Sequence, residues 1–193
     1  MSADRLTELQ RKIDYLMDRQ AIFDCIASHA TGHDRHDSER ITAAYHDYGF
    51  DEHGKAINPG PKYADWINPV HAAGSQNHLH NITTHTVDID GDTAHAESYV
   101  LVTLLDHDGV TARFINGRYL DRLEKRDGVW RIAVRRSTVE LMITADASGL
   151  QHPLFTKQGY SKGSRDRRDL SYARPLEIDI PAPELWGDVA GTA

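Results

Sequence analysis

The stretch from Ile22 to Tyr48 sets ionisable side chains where a helix should be apolar. At 3.6 residues per turn Ile22, Ile26, His29 and His33 fall on one stripe, so His29 continues the line on which two isoleucines would pack. Gly32 then loosens the helix, and Asp34 is the first acid past it, in the run Asp34-Arg35-His36-Asp37. A carboxylate and an imidazole held together in an apolar interior can move a proton. The carboxylate fixes the ring tautomer and offsets the charge that forms when the imidazole is protonated. With an ordinary pKa of about 6.5 a histidine is already near operating pH, and one positioned base contributes on the order of 10²–10⁴ in rate. The rest of the chain is therefore expected to close over His29 and Asp34 and to bring a second histidine to them.

Other chemistries fit less well. The chain has twelve histidines, but His29, His33 and His36 lack the HExxH arrangement, so no metal is expected. His78-Leu79-His80 is a pair that can bind zinc from one strand face, with Asp34 as the only carboxylate at hand. Cys25 is the single cysteine, which excludes an internal disulfide and a thiolate metal site; among apolar helix neighbours it reads as core filler. A net charge of −7 argues against a nucleic-acid or anionic-membrane surface, and the basic cluster Arg165 to Arg168 is interrupted by Asp166. The composition, 39% hydrophobic and 26% charged without a long apolar run or a signal-peptide pattern, points to one water-soluble cytoplasmic domain.

Helical spacing runs from Ala3 to Ala30 through Leu6, Leu9, Ile13, Leu16 and Met17, and the first part is a candidate for contact with a neighbouring subunit. Ser38 is a plausible N-cap for a short helix carrying Ile41, Ala44 and Tyr45. Tyr48 to Gly54 reads as a short strand or turn, and Asn58-Pro59-Gly60-Pro61 as irregular chain from which Pro61 opens a third helix ending near Gly74. From Asn77 the period changes to that of strands. His78 to Ile89, Thr93 to Leu105, Thr111 to Glu124 and Val129 to Ile143 are separated by Asp-Gly turns and make an antiparallel meander. Helices first and a sheet after them mean an α+β fold, with the helices over the concave face of a curved antiparallel sheet. This covers residues 1–149, and 150–193 reads as an extended tail lying on its own surface or a partner's.

Taken together, Asp34-Arg35-x-Asp37, Asp51-Glu-His-Gly54, His78-x-x-Asn81, Asp90-Gly-Asp-Thr-Ala94, and Gly117-Arg-Tyr-Leu-Asp121 ahead of Arg126-Asp-Gly-x-Trp130-Arg-Ile132 resemble the SnoaL-like branch of the nuclear transport factor 2-like superfamily. The resemblance implies a cone with a deep pocket, and for its lyases commonly a homotrimer. Members include scytalone dehydratase, bile-acid 7α-dehydratase, hexachlorocyclohexane dehydrochlorinase and lyases that deformylate lignin-derived diarylpropanes, all working without an organic cofactor. In the eliminating members an aspartate ending the first helix orients a histidine of the first long strand, which is the acid/base. Carried over by motif position, these are Asp34 and His78 here. His29 takes the place of a tyrosine or lysine, His53 that of a tyrosine, and Arg135 that of an arginine. Alternation from Trp130, Ile132 and Val134 would instead point Arg136 inward.

The expected catalytic set is therefore Asp34, His78, His29 and Arg135, with Tyr45, Tyr48, His53, Trp66, Asn116 and Tyr119 against substrate. His80 and His85 are expected to face the outer side or the neighbouring helix. Elimination from a hydrophobic, ring-bearing hydroxylated molecule is the implied reaction, with lignin-derived diaryl compounds and steroids as candidates. Isomerisation or cyclisation of a similar ligand, and plain ligand binding, remain the alternatives.

Overall fold

A computed structural model describes residues 2–188. One continuous helix, α1 (Ala3–Asp34), opens the chain, capped by Ser2, whose side chain accepts the Arg5 N–H. Leu6, Leu9, Ile13, Leu16 and Met17 on its first half are exposed, and burial begins at Ile22, so only the second half joins the body. Gly32 does not interrupt the helix. It lets the short helix α2 (Ser38–Ala43) cross closely, since a Cβ at Gly32 would stand 2.9 Å from Ile41 Cγ1. Asp37 rather than Ser38 is the N-cap of α2, its carboxylate accepting the Arg40 N–H at 3.1 Å.

Strand β1 (Tyr45–His53) pairs with a short β2 (Ala56–Pro59), and α3 (Gly60–Gly74) follows at once. Asn58 and Pro59 are thus strand residues where irregular chain was expected. Proline is tolerated there because β2 is an edge strand, where its missing N–H breaks no ladder. The meander follows as β3 (Asn77–Asp90), β4 (Thr93–Leu105), β5 (Thr111–Arg126) and β6 (Val129–Asp146).

The sheet order is β2-β1-β6-β5-β4-β3. The class is α+β, but the sheet is mixed rather than wholly antiparallel, because β1 runs parallel to β6. A strand arriving from the helical layer, not through a hairpin, is free to take that direction. Helix α1 lies on β3 and β6, and Ile22, Ile26, Ile41, Tyr63, Ile67, Leu123, Trp130 and Ile132 form the core between helices and sheet. Each such buried side chain contributes about 1.5–3 kcal/mol.

A bulge decides which arginine enters this interior. The β5–β6 register steps from Arg122 opposite Val134 to Leu123 opposite Ile132, leaving Ala133 as an extra residue. Ile132 and Ala133 are consequently both buried, the alternation reverses, and Arg135 is fully enclosed while Arg136 points to solvent and pairs with Glu52. After β6 the chain returns over the body through 3-10 turns at Ser148–Gln151 and Leu170–Tyr172 and a short helix, α4 (Pro153–Thr156). Among the described residues no helix is long and apolar enough to cross a membrane.

Candidate functional site

Asp34, the last residue of α1, faces the start of β3. Its carboxylate accepts the His80 main-chain N–H at 2.9 and 3.1 Å and lies 2.7 Å from His80 Nδ1. Because the carboxylate only accepts, His80 Nδ1 carries a proton, and in the neutral ring Nε2 keeps its lone pair. The expected partner, His78, stands 4.0 Å from Asp34 Oδ1 and is engaged elsewhere. Arg165 donates to His78 Nδ1 at 2.7 Å, so His78 Nε2 carries the proton and donates to the His33 carbonyl at 2.9 Å. The carboxylate–imidazole contact therefore belongs to His80, two residues along. Residues i and i+2 of a strand share a face, so His80 turns inward with His78 while Leu79 stays exposed. Of the two places expected for His80, the outer side or the neighbouring helix, it takes the second, bonding Asp34 at the end of α1. His85 bonds Ser98 and packs on Phe23 of α1.

Behind this pair runs a second polar chain with a fixed direction. Arg135 grips Asp121 through two bonds of 2.7 Å and donates to His29 Nδ1 at 2.8 Å. An arginine cannot accept, so His29 must carry its proton on Nε2 and donate it to the Tyr45 hydroxyl at 3.0 Å, which in turn donates to Asp51 at 2.6 Å. Both nitrogens of His29 are spent. Burial, with the Arg135 cation next, holds this imidazole well below its ordinary pKa and hence neutral.

The cavity on the concave face measures about 390 Å³. Val100, Val102, Leu104, Ile115 and Val139 give it apolar walls, and Tyr119, His53, His71, His80, Ser137 and Thr138 supply polar atoms. Of the residues expected against substrate, His53 and Tyr119 line it. Tyr45 is buried in the chain behind it, and Trp66 packs its ring 5.9 Å from His53 and 5.8 Å from Tyr63, beside the lining. Tyr48 lies outside: its hydroxyl bonds Glu124 and its ring stacks on His46. Asn116 is absent from a lining that holds Ile115 and Gly117, its neighbours on the opposite face of β5. Arg135 sits behind Tyr119, its guanidinium 4.1 Å from the ring centre. Gly117 is required there, because a Cβ would strike the Thr138 carbonyl where β5 and β6 bulge together.

Among the described residues three groupings of side chains have their ligand atoms within 4.8 Å of one another: His33, His71 and His80; His36, His71 and His78; and Asp34, His78 and His80. The first joins α1, α3 and β3 and has no signature in sequence spacing.

Like His71 and His80, Arg165 lies outside the set expected from the sequence. Besides His78 it bonds the Ser75 hydroxyl at 2.6 Å and the Ser75 carbonyl at 2.7 Å. Nearby, Arg35 pairs with Asp169, and Tyr172 donates to Asp37 at 2.6 Å. A charged tail between glycines gives no period from which these contacts could be read. Cys25 is a partly buried thiol packed against the core, its pKa pushed up to about 12 by burial, in keeping with core filler.

Burial, then His80 and Arg165, lower the His78 pKa to about 3, and His29 lies lower than its ordinary value as well. In the unfolded chain both titrate at about 6.5. Above that pH both states are neutral and stability is complete; below it only the unfolded chain takes up protons, so stability falls as pH drops toward the folded values. His78 alone loses about 2 kcal/mol between pH 7 and pH 5, at roughly 1.4 kcal/mol per pH unit below 6.5, and His29 adds to the loss in the same direction. Urea unfolding at the two pH values measures this, and identical midpoints would contradict it.

Comparison with known proteins adds the following. The model of the SnoaL-like domain family matches residues 14–136. Among solved structures, LinA superposes with a TM-score of 0.65 at 23% identity, covering 69% of this chain and 93% of its own. The hexachlorocyclohexane dehydrochlorinase LinA-type3 of Novosphingobium barchaimii gives 0.64 at 23%, over 69% and 94%. A Mycobacterium tuberculosis protein of unknown function gives 0.59 at 26%, over 66% and 74%. No curated protein matches the chain.

Proposed function

This chain belongs to the SnoaL-like domain family, and from that premise we propose that it is a lyase, working without an organic cofactor, in which Asp34 and His80 form the acid/base pair. The observation that carries the reading is the 2.7 Å contact between Asp34 and His80 Nδ1 beside a cavity that His80 itself lines. It leaves Nε2 as a free base whose rising positive charge a carboxylate offsets. Similarity to a dehydrochlorinase supports elimination as the reaction type.

The substrate we propose is a hydrophobic, ring-bearing alcohol, to suit apolar walls interrupted by few polar atoms. His80 Nε2 removes a proton from the carbon next to the carbinol. The electron pair of that C–H bond forms the double bond and the C–O bond breaks. Hydroxide leaves as water after taking the proton back from the imidazolium. Ser137 Oγ, which has no partner among the described residues and belongs to a lining residue, is placed to hold the leaving hydroxyl. Arg135 is kept by Asp121 and His29 and acts by positioning, through Tyr119 and the His29–Tyr45 chain.

A homo-oligomer, a trimer by family resemblance, is supported by the exposed Leu141, Met142 and Ile143 on β6 and by the bare first half of α1. A panel of hydroxylated steroids and lignin-type diaryl diols, followed by mass spectrometry for loss of water or formaldehyde, tests the activity. Conversion of a member supports the lyase; a ligand that binds the cavity and is recovered at unchanged mass would make the protein a binding module, and one recovered as an isomer an isomerase.

A further inference from the structure

We propose that His33, His71 and His80 form a binding site for a divalent first-row transition-metal ion such as zinc, with its fourth position open to the cavity. The three rings surround one point: their centres lie 4.9 Å (His33 to His80), 5.4 Å (His33 to His71) and 5.5 Å (His71 to His80) apart, and one ring nitrogen from each falls within 4.8 Å of the others. A tetrahedral site with Zn–N bonds of 2.0–2.1 Å needs nitrogens about 3.3 Å apart. Side-chain torsion, closing the set by roughly 1.5 Å at most, reaches that geometry.

The buried polar atoms point to the same ligand. His33 is 1% exposed and, among the described residues, neither of its ring nitrogens has a partner; His71 Nδ1 has none either. Protein interiors rarely leave such atoms unsatisfied, and here three of them gather beside His80. His33 and His71 are held neutral, chiefly by burial, which is the form in which imidazole ligates. His80 is already oriented as a metal ligand: Asp34 holds its Nδ1–H at 2.7 Å and turns Nε2 outward, the carboxylate–histidine arrangement that supports metal-bound imidazoles. Three imidazoles without thiolate suit zinc, copper, nickel or iron rather than calcium or magnesium.

The two other groupings are weaker. Each needs His78, whose nitrogens are committed to Arg165 and to the His33 carbonyl, and the Arg165 cation beside it opposes a second positive charge. Since His71 and His80 both line the cavity, an ion held there faces whatever occupies it. It also takes the lone pair that the elimination uses, so metal binding and proton abstraction by His80 exclude each other.

The test is titration of the chelator-treated full chain with Zn²⁺ by calorimetry and with Co²⁺ by visible absorption. One ion per chain is expected, with the visible bands of tetrahedral cobalt. His33→Gln and His71→Gln should each weaken binding by at least a hundredfold, and Asp34→Asn, which removes no ligand, by 10- to 100-fold. His78→Ala should bind as the parent does. Failure of the parent chain to bind either ion, or affinity equal to the parent's in both glutamine variants, would overturn the proposal. Circular dichroism establishes that each variant is folded; if His33→Gln is not, His71→Gln and the parent titration decide. Because the readout is binding, a protein that eliminates nothing can still pass, and one that eliminates can still fail.

Discussion

Replacing His80 by alanine is expected to lower kcat on the eliminated substrate by 10²–10⁴-fold, and replacing His78 by alanine by less than tenfold. The two histidines share a strand face, yet their nitrogens differ in availability. His80 keeps a lone pair toward the cavity, with its other nitrogen on Asp34, whereas both nitrogens of His78 are consumed by Arg165 and the His33 carbonyl. Asp34→Asn should approach the His80 loss, because an amide neither offsets the imidazolium charge nor fixes the tautomer as firmly. It retains an oxygen for the His80 main-chain N–H, so the junction of α1 with β3 survives and the variant folds. A drop in kcat and kcat/KM together marks a transition-state contribution, and a rise in KM alone would mark mere ground-state binding. Should His78→Ala and His80→Ala lose equal activity while both stay folded, the assignment of the base to His80 is wrong.

Asp121→Ala should cost the fold about 3–5 kcal/mol, because it strands a buried guanidinium. Both side chains of the Arg135–Asp121 pair are fully enclosed and joined by two bonds of 2.7 Å. Burial alone would pull the arginine pKa down, yet Asp121 carries it above the ordinary value; without that carboxylate the desolvation cost is no longer offset. In a chain of this size the melting temperature should fall by about 10 °C, at roughly 2–4 °C per kcal/mol. The double variant Asp121→Leu/Arg135→Met should recover most of the loss, since replacing both partners by apolar groups removes the stranded charge. Scanning calorimetry of the three proteins measures this, and an Asp121→Ala protein within about 1 kcal/mol of the parent would show that water reaches Arg135.

Local periodicity alone carried the four meander strands, the course of α1 through Ile22 and Ile26, and the placing of Pro61 in the first turn of α3, since period 2, period 3.6 and proline geometry depend on near neighbours. Helical spacing likewise marked His29, and its place just past Gly32 marked Asp34, as polar groups bound for the interior, where both now lie. What those groups touch was decided only by tertiary structure. The choice of His80 over His78 follows from an arginine of the tail capturing one ring, and a tail without a period announces no partner. The entry of Arg135 follows from one extra residue at Ala133, and a bulge belongs to the pairing of two strands rather than to either sequence. The parallel seating of β1 on β6 and the meeting of His33, His71 and His80 have the same origin: they join segments far apart in the chain, whose proximity is fixed by how the helices settle on the sheet.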